Sequence, residues 1–324
     1  MLRSVLLLAA AFAAFAQPRD RLVFQGKSGP GAGKRIVLVS GDDEYRSEQA
    51  LPELAKILSR RQGFDTTVLF EIDPAAGTIV PDQHNNIPGL ETLDSADLVV
   101  LMIRFRDLPD AQMKHIVDYV EAGKPIVALR TSTHGFDLKT SPTYRRWSWN
   151  SKEWDGGFGR QVLGETWINH HGKHKVQSTR AMFAPGQERN PILHGIGDGE
   201  IWVPTDVYTA RLPMAAGIQP LLMGAVLESM DPASAPVKGP QNDPMMPVAW
   251  TREYRGGRVF TTTMGSAQDL LNEPFRRLLV NACYWALGMP VPAKADVRMV
   301  GEYHPLPFGF GGYQKGLKVE DLEK

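Results

Sequence analysis

Residues 96–104, ADLVVLMIR, place apolar side chains at every position from Leu98 to Ile103 before breaking into an arginine. A strand with one wet face alternates, so an unbroken apolar run needs cover on both sides, as in a parallel sheet between helices. KRIVLVSG, with a strand from Arg35 to Val39, FDTTVLFEI from Phe64 to Ile72, and PIVALR have the same character. Between them Leu51, Leu54, Ile57 and Leu58, then Met113, Ile116, Val117 and Val120, recur at helical spacing. Ser47 is expected to cap the first helix and Pro109 to open the second, with Gly63 and Gly123 at their exits. Strand, helix, strand, loop, strand, helix, strand predicts an α/β fold with a doubly wound, mostly parallel sheet.

Beyond Asp137 the rhythm dissolves into a long insertion dense in Trp, Arg and Gly that ends near Trp167. Shorter strands follow around Val176, Val207 and Leu222, then a C-terminal hairpin of PVAWTREY and RVFTTTMG turning at Arg255–Gly256–Gly257, where glycine supplies positive φ. A last helix spans Glu273 to Leu287. Residues 34–288 form one elaborated domain in this reading, and residues 289–324 an extended tail over its surface. Residues 17–33, polar and glycine-rich with no hydrophobic period, read as a flexible leader. Before them an apolar run from Val5 to Phe15, followed by Ala16, reads as a signal peptide cleaved near Ala16. That run is shorter than the roughly 20 residues a membrane span requires. The expected location is periplasmic or secreted.

Lys plus Arg number 36 and Asp plus Glu number 36, so no basic excess invites nucleic acid or an anionic membrane. The expected partner is a small-molecule substrate; the oligomeric state is not legible. Cys283, the only cysteine, sits among apolar neighbours at helical spacing and reads as a buried hydrophobe.

Ligands of such sheets lie beyond the carboxyl ends of the strands. The residues there are Asp42, Asp43, Glu44 and Tyr45 after the first strand, Arg104 and Arg106 after the third, and Arg130, Thr131, Ser132, Thr133 and His134 after the fourth. The carboxylates can serve as general bases, metal ligands or acceptors for sugar hydroxyls, or can cap the next helix. Thr131, Ser132 and Thr133 lack the GxSxG turn of a nucleophile, because Arg130 and His134 occupy its glycine positions. In INHHGKHK, His170, His171 and His174 would make a zinc site if helical. As the start of a strand the segment instead places His170 and His174 on one face, where they meet substrate by hydrogen bonds. Trp149 lies in an aromatic loop with Tyr144, Trp147 and Trp154, suited either to stacking on sugars or to building the loop's own core. Gln268 follows the hairpin's second strand, and Asp269 beside it can cap the last helix.

KRIVLVSG, ADLVVLMI, GKPIVALRTSTHGF, NPILHGIGDGEIWVPTDVY and above all PVAWTREYRGGRVFTTTMGS with FRRLLVNACYWALG resemble the ThuA-like, or trehalose utilisation, family over roughly Lys34 to Gly288. That resemblance implies a flavodoxin-like sheet of the class I glutamine amidotransferase type. Its fold relatives carry Cys at the position near Arg130 or Thr131, and His plus an acid where Gly265 to Gln268 stand, so glutamine hydrolysis is not carried over. What remains is a role in sugar metabolism. The expected function is hydrolysis, isomerisation or elimination on a carbohydrate or sugar derivative. Asp42 or Glu44 would share acid and base duties with His134, His171 or another of the histidines. Asp43, Tyr45, Arg104, Arg106, Arg130, Thr131, Ser132, Trp149, His170, His174 and Gln268 would bind substrate, with no cofactor. The alternatives are a non-catalytic sugar-binding protein and a zinc hydrolase built on His170, His171 and His174.

Overall fold

The computed structural model describes residues 19–323, so the expected cleavage near Ala16 lies outside the described residues. In chain order the elements are β1 (Arg21–Phe24), β2 (Arg35–Gly41), α1 (Ser47–Gln62), β3 (Asp65–Leu69), β4 (Leu98–Ile103), α2 (Asp110–Glu121), β5 (Ile126–Leu129), β6 (Thr179–Phe183), β7 (Ile201–Val203), β8 (Gln219–Val226), β9 (Met246–Tyr254), β10 (Gly257–Thr262) and α3 (Glu273–Ala286). All ten strands join one sheet in the order β1-β3-β2-β4-β5-β10-β9-β8-β6-β7. The strands from β3 through β10 pair in parallel, while β1 and the block from β9 to β7 pair antiparallel.

The pleat explains the unbroken apolar runs. Leu38, Val100, Val127 and Phe260 project to the face covered by α1 and α3. Val37, Val99, Leu101, Ala128 and Val259 project to the other, covered by α2 and the insertion's Trp147 and Phe158. Each fully buried side chain of this kind contributes roughly 1.5–3 kcal/mol. Helices on both faces bring the carboxyl ends of β2, β4, β5 and β10 to one edge, and that edge carries the polar residues.

Several local expectations change. Residues 17–33 are not all leader: β1 pairs with β3, with Leu22 and Phe24 buried. Four residues are too few for a periodic signal. Ser47 does not cap α1. Arg46 holds the cap position at φ 60°, and the Ser47 hydroxyl instead accepts from the Asp42 amide at 2.9 Å. The start of α3 is capped by Asn272, which accepts from the Phe275 amide, and not by Asp269. The turn between β9 and β10 puts its positive φ on Arg255 and Gly256, leaving Gly257 in the strand. Around Val176 there is a turn rather than a strand. The tail is anchored, since Phe308, Leu317 and Val319 join the core beside α1 and α3.

Glu48, in the first turn of α1, is 1% exposed, and among the described residues its carboxylate has no hydrogen-bond partner in another residue. Burial, opposed by the Arg46 charge, pushes its pKa from 4.5 up to about 7. The folded state therefore holds this proton more tightly than the unfolded chain, so its contribution to stability is full below pH 4.5 and is lost as pH rises to about 7. Glu48→Gln removes the charge and keeps the shape. It should raise stability at pH 8 by about 3 kcal/mol, with no gain at pH 4. Denaturant melts at the two pH values check this, and an equal gain at both would refute the assignment.

Candidate functional site

Three non-glycine residues beyond the carboxyl ends of the parallel strands hold positive φ: Arg46 after β2 (60°), Phe105 after β4 (49°) and Arg130 after β5 (45°). Each such residue costs on the order of 1 kcal/mol or more, and strain of this kind gathers where side chains must be aimed. Arg130 aims inward. Its guanidinium is fully buried and sandwiched between the rings of Tyr45 (4.5 Å) and Tyr208 (3.9 Å). It donates to the carbonyls of Asp206 (2.6 Å) and Thr263 (2.7 Å), to the Tyr45 hydroxyl (3.0 Å) and to Asp206 Oδ1 (2.8 Å).

Asp206, just beyond β7, is the hub. Its Oδ2 lies 2.7 Å from His170 Nδ1 and its Oδ1 3.1 Å from His174 Nδ1. His174 Nε2 reaches Glu44 Oε1 at 3.1 Å, and Arg104 Nε stands 3.7 Å from Glu44 Oε2. Burial alone would raise the Asp206 pKa, but the Arg130 charge and the bonds from His170 and His174 outweigh it and hold the carboxylate ionised. Bonds to Asp206, then to Glu44, push His174 up to about 9. His170, His174 and Asp206 also form the one group among the described residues with the donor set and spacing to hold a metal ion, all within 4.8 Å.

The histidines lie on neither helix nor strand. The chain bridges at His170–Tyr208, with the amides of His171 and Gly172 bonded to the Val207 carbonyl. It then turns at Lys173–Lys175, swinging His174 back over Asp206 until the two imidazoles are 4.8 Å apart. His171 is carried away and meets the Gln241 carbonyl at 2.9 Å, so it has no place in the acid–base group.

Aromatic rings line the side next to His170. Trp167 lies 5.9 Å from His170, 5.2 Å from His134 and 5.9 Å from Trp149, and Phe105 lies 4.9 Å from His134. The aromatic loop divides: Trp147 packs on Phe158 and Trp154 as the loop's own core, while half-buried Trp149 lies against Phe105. His134 is buried, and desolvation with the charges of Arg104 and Arg130 holds its pKa well below the ordinary value, so the ring is neutral. From the opposite side the tail closes in. Phe308 stacks on Tyr45 and touches His174, and the Gly309 amide donates to the Glu44 carbonyl at 2.7 Å. A Cβ at Gly312 would sit 2.3 Å from Arg46 Nη2, so a side chain there would have to displace that guanidinium.

Other expected site residues have structural duties. Asp42 is fully buried and accepts from the amides of Glu44 and Tyr45 and from the Thr131 hydroxyl, tying the turns after β2 and β5 together. Its carboxylate is taken up by these three donors inside the fold, so its surroundings lend no support to the expected acid–base role. Ser132 bonds the Leu101 carbonyl, and Arg106 is locked inside against Glu71 at 2.8 Å. Neither can meet substrate. Asp43 pairs with Arg104 (3.0 Å) and His84 (3.2 Å) at the rim. Gln268 lies with Trp202, Pro204 and Leu271 around a separate hollow and bonds the Phe308 amide. Tyr45, Thr131 and Arg130 build the wall without being exposed to it. Asp206, Trp167, Phe105, Tyr208 and Phe308 were not singled out. The polar pair Thr205–Asp206, one proline beyond IWV, was the available signal for the hub.

Cys283, buried in α3, has its thiol pushed up to about 12 by desolvation and lies outside this group. No curated protein matches the chain. Among solved structures the chain is similar to a ThuA-like protein from Bacteroides uniformis, with TM-score 0.50, 14% identity, and coverage of 80% of this chain and 93% of that one. A ThuA-like protein from Parabacteroides merdae matches with TM-score 0.49, 14% identity, and coverage of 88% and 99%. A cold-adapted β-galactosidase from Rahnella matches with TM-score 0.45, 16% identity, and coverage of 80% of this chain but 32% of the enzyme. The family model described as trehalose utilisation matches residues 35–286. The chain belongs to the ThuA family.

Proposed function

We propose that this protein binds a carbohydrate or sugar derivative at the strand-end edge between Glu44, Asp206 and the aromatic faces of Trp149 and Trp167, and that Glu44 exchanges protons with it. The observation that carries this reading is the convergence of Glu44, His170 and His174 on the same strand-end edge as a set of aromatic faces. Aromatic faces suit the apolar faces of sugar rings, and carboxylate and imidazole suit hydroxyl or keto oxygens. His174 and Arg104 orient Glu44, and neutral His134 offers a hydrogen bond without a charge. The family description, trehalose utilisation, agrees with a sugar ligand. Export belongs to the same reading and is supported by the apolar run from Val5 to Phe15. Among the described residues no helix is long and apolar enough to cross a membrane.

Calorimetry with a panel of disaccharides and their keto derivatives, followed by product analysis, is the test. Heat of binding with formation of a product is expected. Binding without product would favour a sugar-binding accessory role, and no binding by any member would overturn the reading.

A further inference from the structure

We propose that His170, His174 and Asp206 bind one divalent first-row transition-metal ion, with Glu44 as the outer group that orients His174. The inference shares the site of the carbohydrate reading and rests on its geometry; no sugar enters its test. Two imidazoles and one carboxylate are the donor set of a site that keeps positions open for a water or substrate oxygen. The three present one ligand atom each, all within 4.8 Å of one another. Ligands bound at ~2.1 Å to a tetrahedral ion stand roughly 3.4 Å apart. The contacts of 2.7 Å and 3.1 Å between Asp206 and the two Nδ1 atoms need only a small opening to admit the ion.

The surroundings supply what such a site needs beyond its ligands. A ligating histidine ordinarily donates its other ring N–H to a carboxylate, which fixes the tautomer. His174 has that arrangement: Nε2 faces Glu44 at 3.1 Å, and an ion beside Asp206 would displace the Nδ1 proton and take up that lone pair. The Asp206 carboxylate is itself held, since Arg130 bonds Oδ1 and the Asp206 carbonyl, while Oδ2 faces His170. Asp206, Glu44 and Asp43 carry three negative charges against the two positive charges of Arg130 and Arg104, so a dication is tolerated. His170 is 36% exposed at its side chain, which gives the ion a way in. His171, the third histidine of the motif, is excluded by its bond to Gln241.

The experiment uses full-length protein stripped with a chelator, titrated with Co²⁺ by visible absorption and with Zn²⁺ by calorimetry. One ion per chain is expected, with the d–d bands of a low-coordinate cobalt site. His170→Ala and His174→Ala should each weaken binding on the order of 100-fold, and Asp206→Asn likewise if that buried variant folds. His171→Ala should leave the affinity unchanged. Failure of the wild type to take up either ion would overturn the proposal, as would uptake that survives both His170→Ala and His174→Ala. Sugar binding by stripped protein that takes up no ion would refute the metal and leave the carbohydrate reading standing. Ion uptake with no sugar bound would do the reverse.

Discussion

Arg130→Met is expected to destabilise the fold by about 3–5 kcal/mol, the range for removing one partner of a buried ion pair. Methionine can fill the slot between Tyr45 and Tyr208, so lost volume is not the main cost. The cost lies in the groups left behind. Asp206 would keep its burial but lose the guanidinium that holds it ionised, and the carbonyls of Asp206 and Thr263 would lose their donor. Urea denaturation measures the change. Adding Asp206→Leu to Arg130→Met should recover part of the loss, because replacing both members of a buried pair by apolar groups is often close to neutral. A loss below about 1 kcal/mol for Arg130→Met alone would mean that Asp206 does not depend on Arg130.

Glu44→Gln should lower kcat by roughly 10²- to 10⁴-fold on any sugar the wild type converts, the usual contribution of a positioned acid or base. The amide keeps the shape and can still accept from His174, so ligand affinity should stay within about threefold and the melting temperature should hardly move. Steady-state kinetics beside calorimetry separates the two effects. Unchanged turnover in Glu44→Gln would remove Glu44 from the chemistry. Loss of binding with unchanged turnover per bound ligand would make it a recognition group instead.

Much of the parallel half of the molecule was legible in order. The apolar runs of β2, β4 and β5 and the stripes on α1 and α2 report burial through local spacing, and their polar ends mark the edge where a site belongs. The site itself was legible as a set of candidates and not as an arrangement. Asp42 and Glu44 are two residues apart in one acidic turn, yet Asp42 faces inward to three donors while Glu44 faces His174. Arg104 and Arg106 divide the same way, one to the rim with Asp43 and one into the core with Glu71. Alternation along an extended chain predicts that neighbours differ in direction, but these pairs are two apart, and the turns that follow the strands break the alternation. Neither a helical nor a strand period describes the histidine motif, because a turn at Lys173–Lys175 brings His174 back over Asp206.

What the chain order determined is whatever depends on near neighbours: the covered strands, the stripes of α1, α2 and α3, the absence of a cysteine at the end of β5, and the family motifs. What only the folded chain decided is which charged groups meet. Arg130 and Asp206 are 76 residues apart, and Thr131 and Asp42 are 89. The free energy of a buried charge is set by the partner that reaches it after folding, and no local pattern of side chains carries that information.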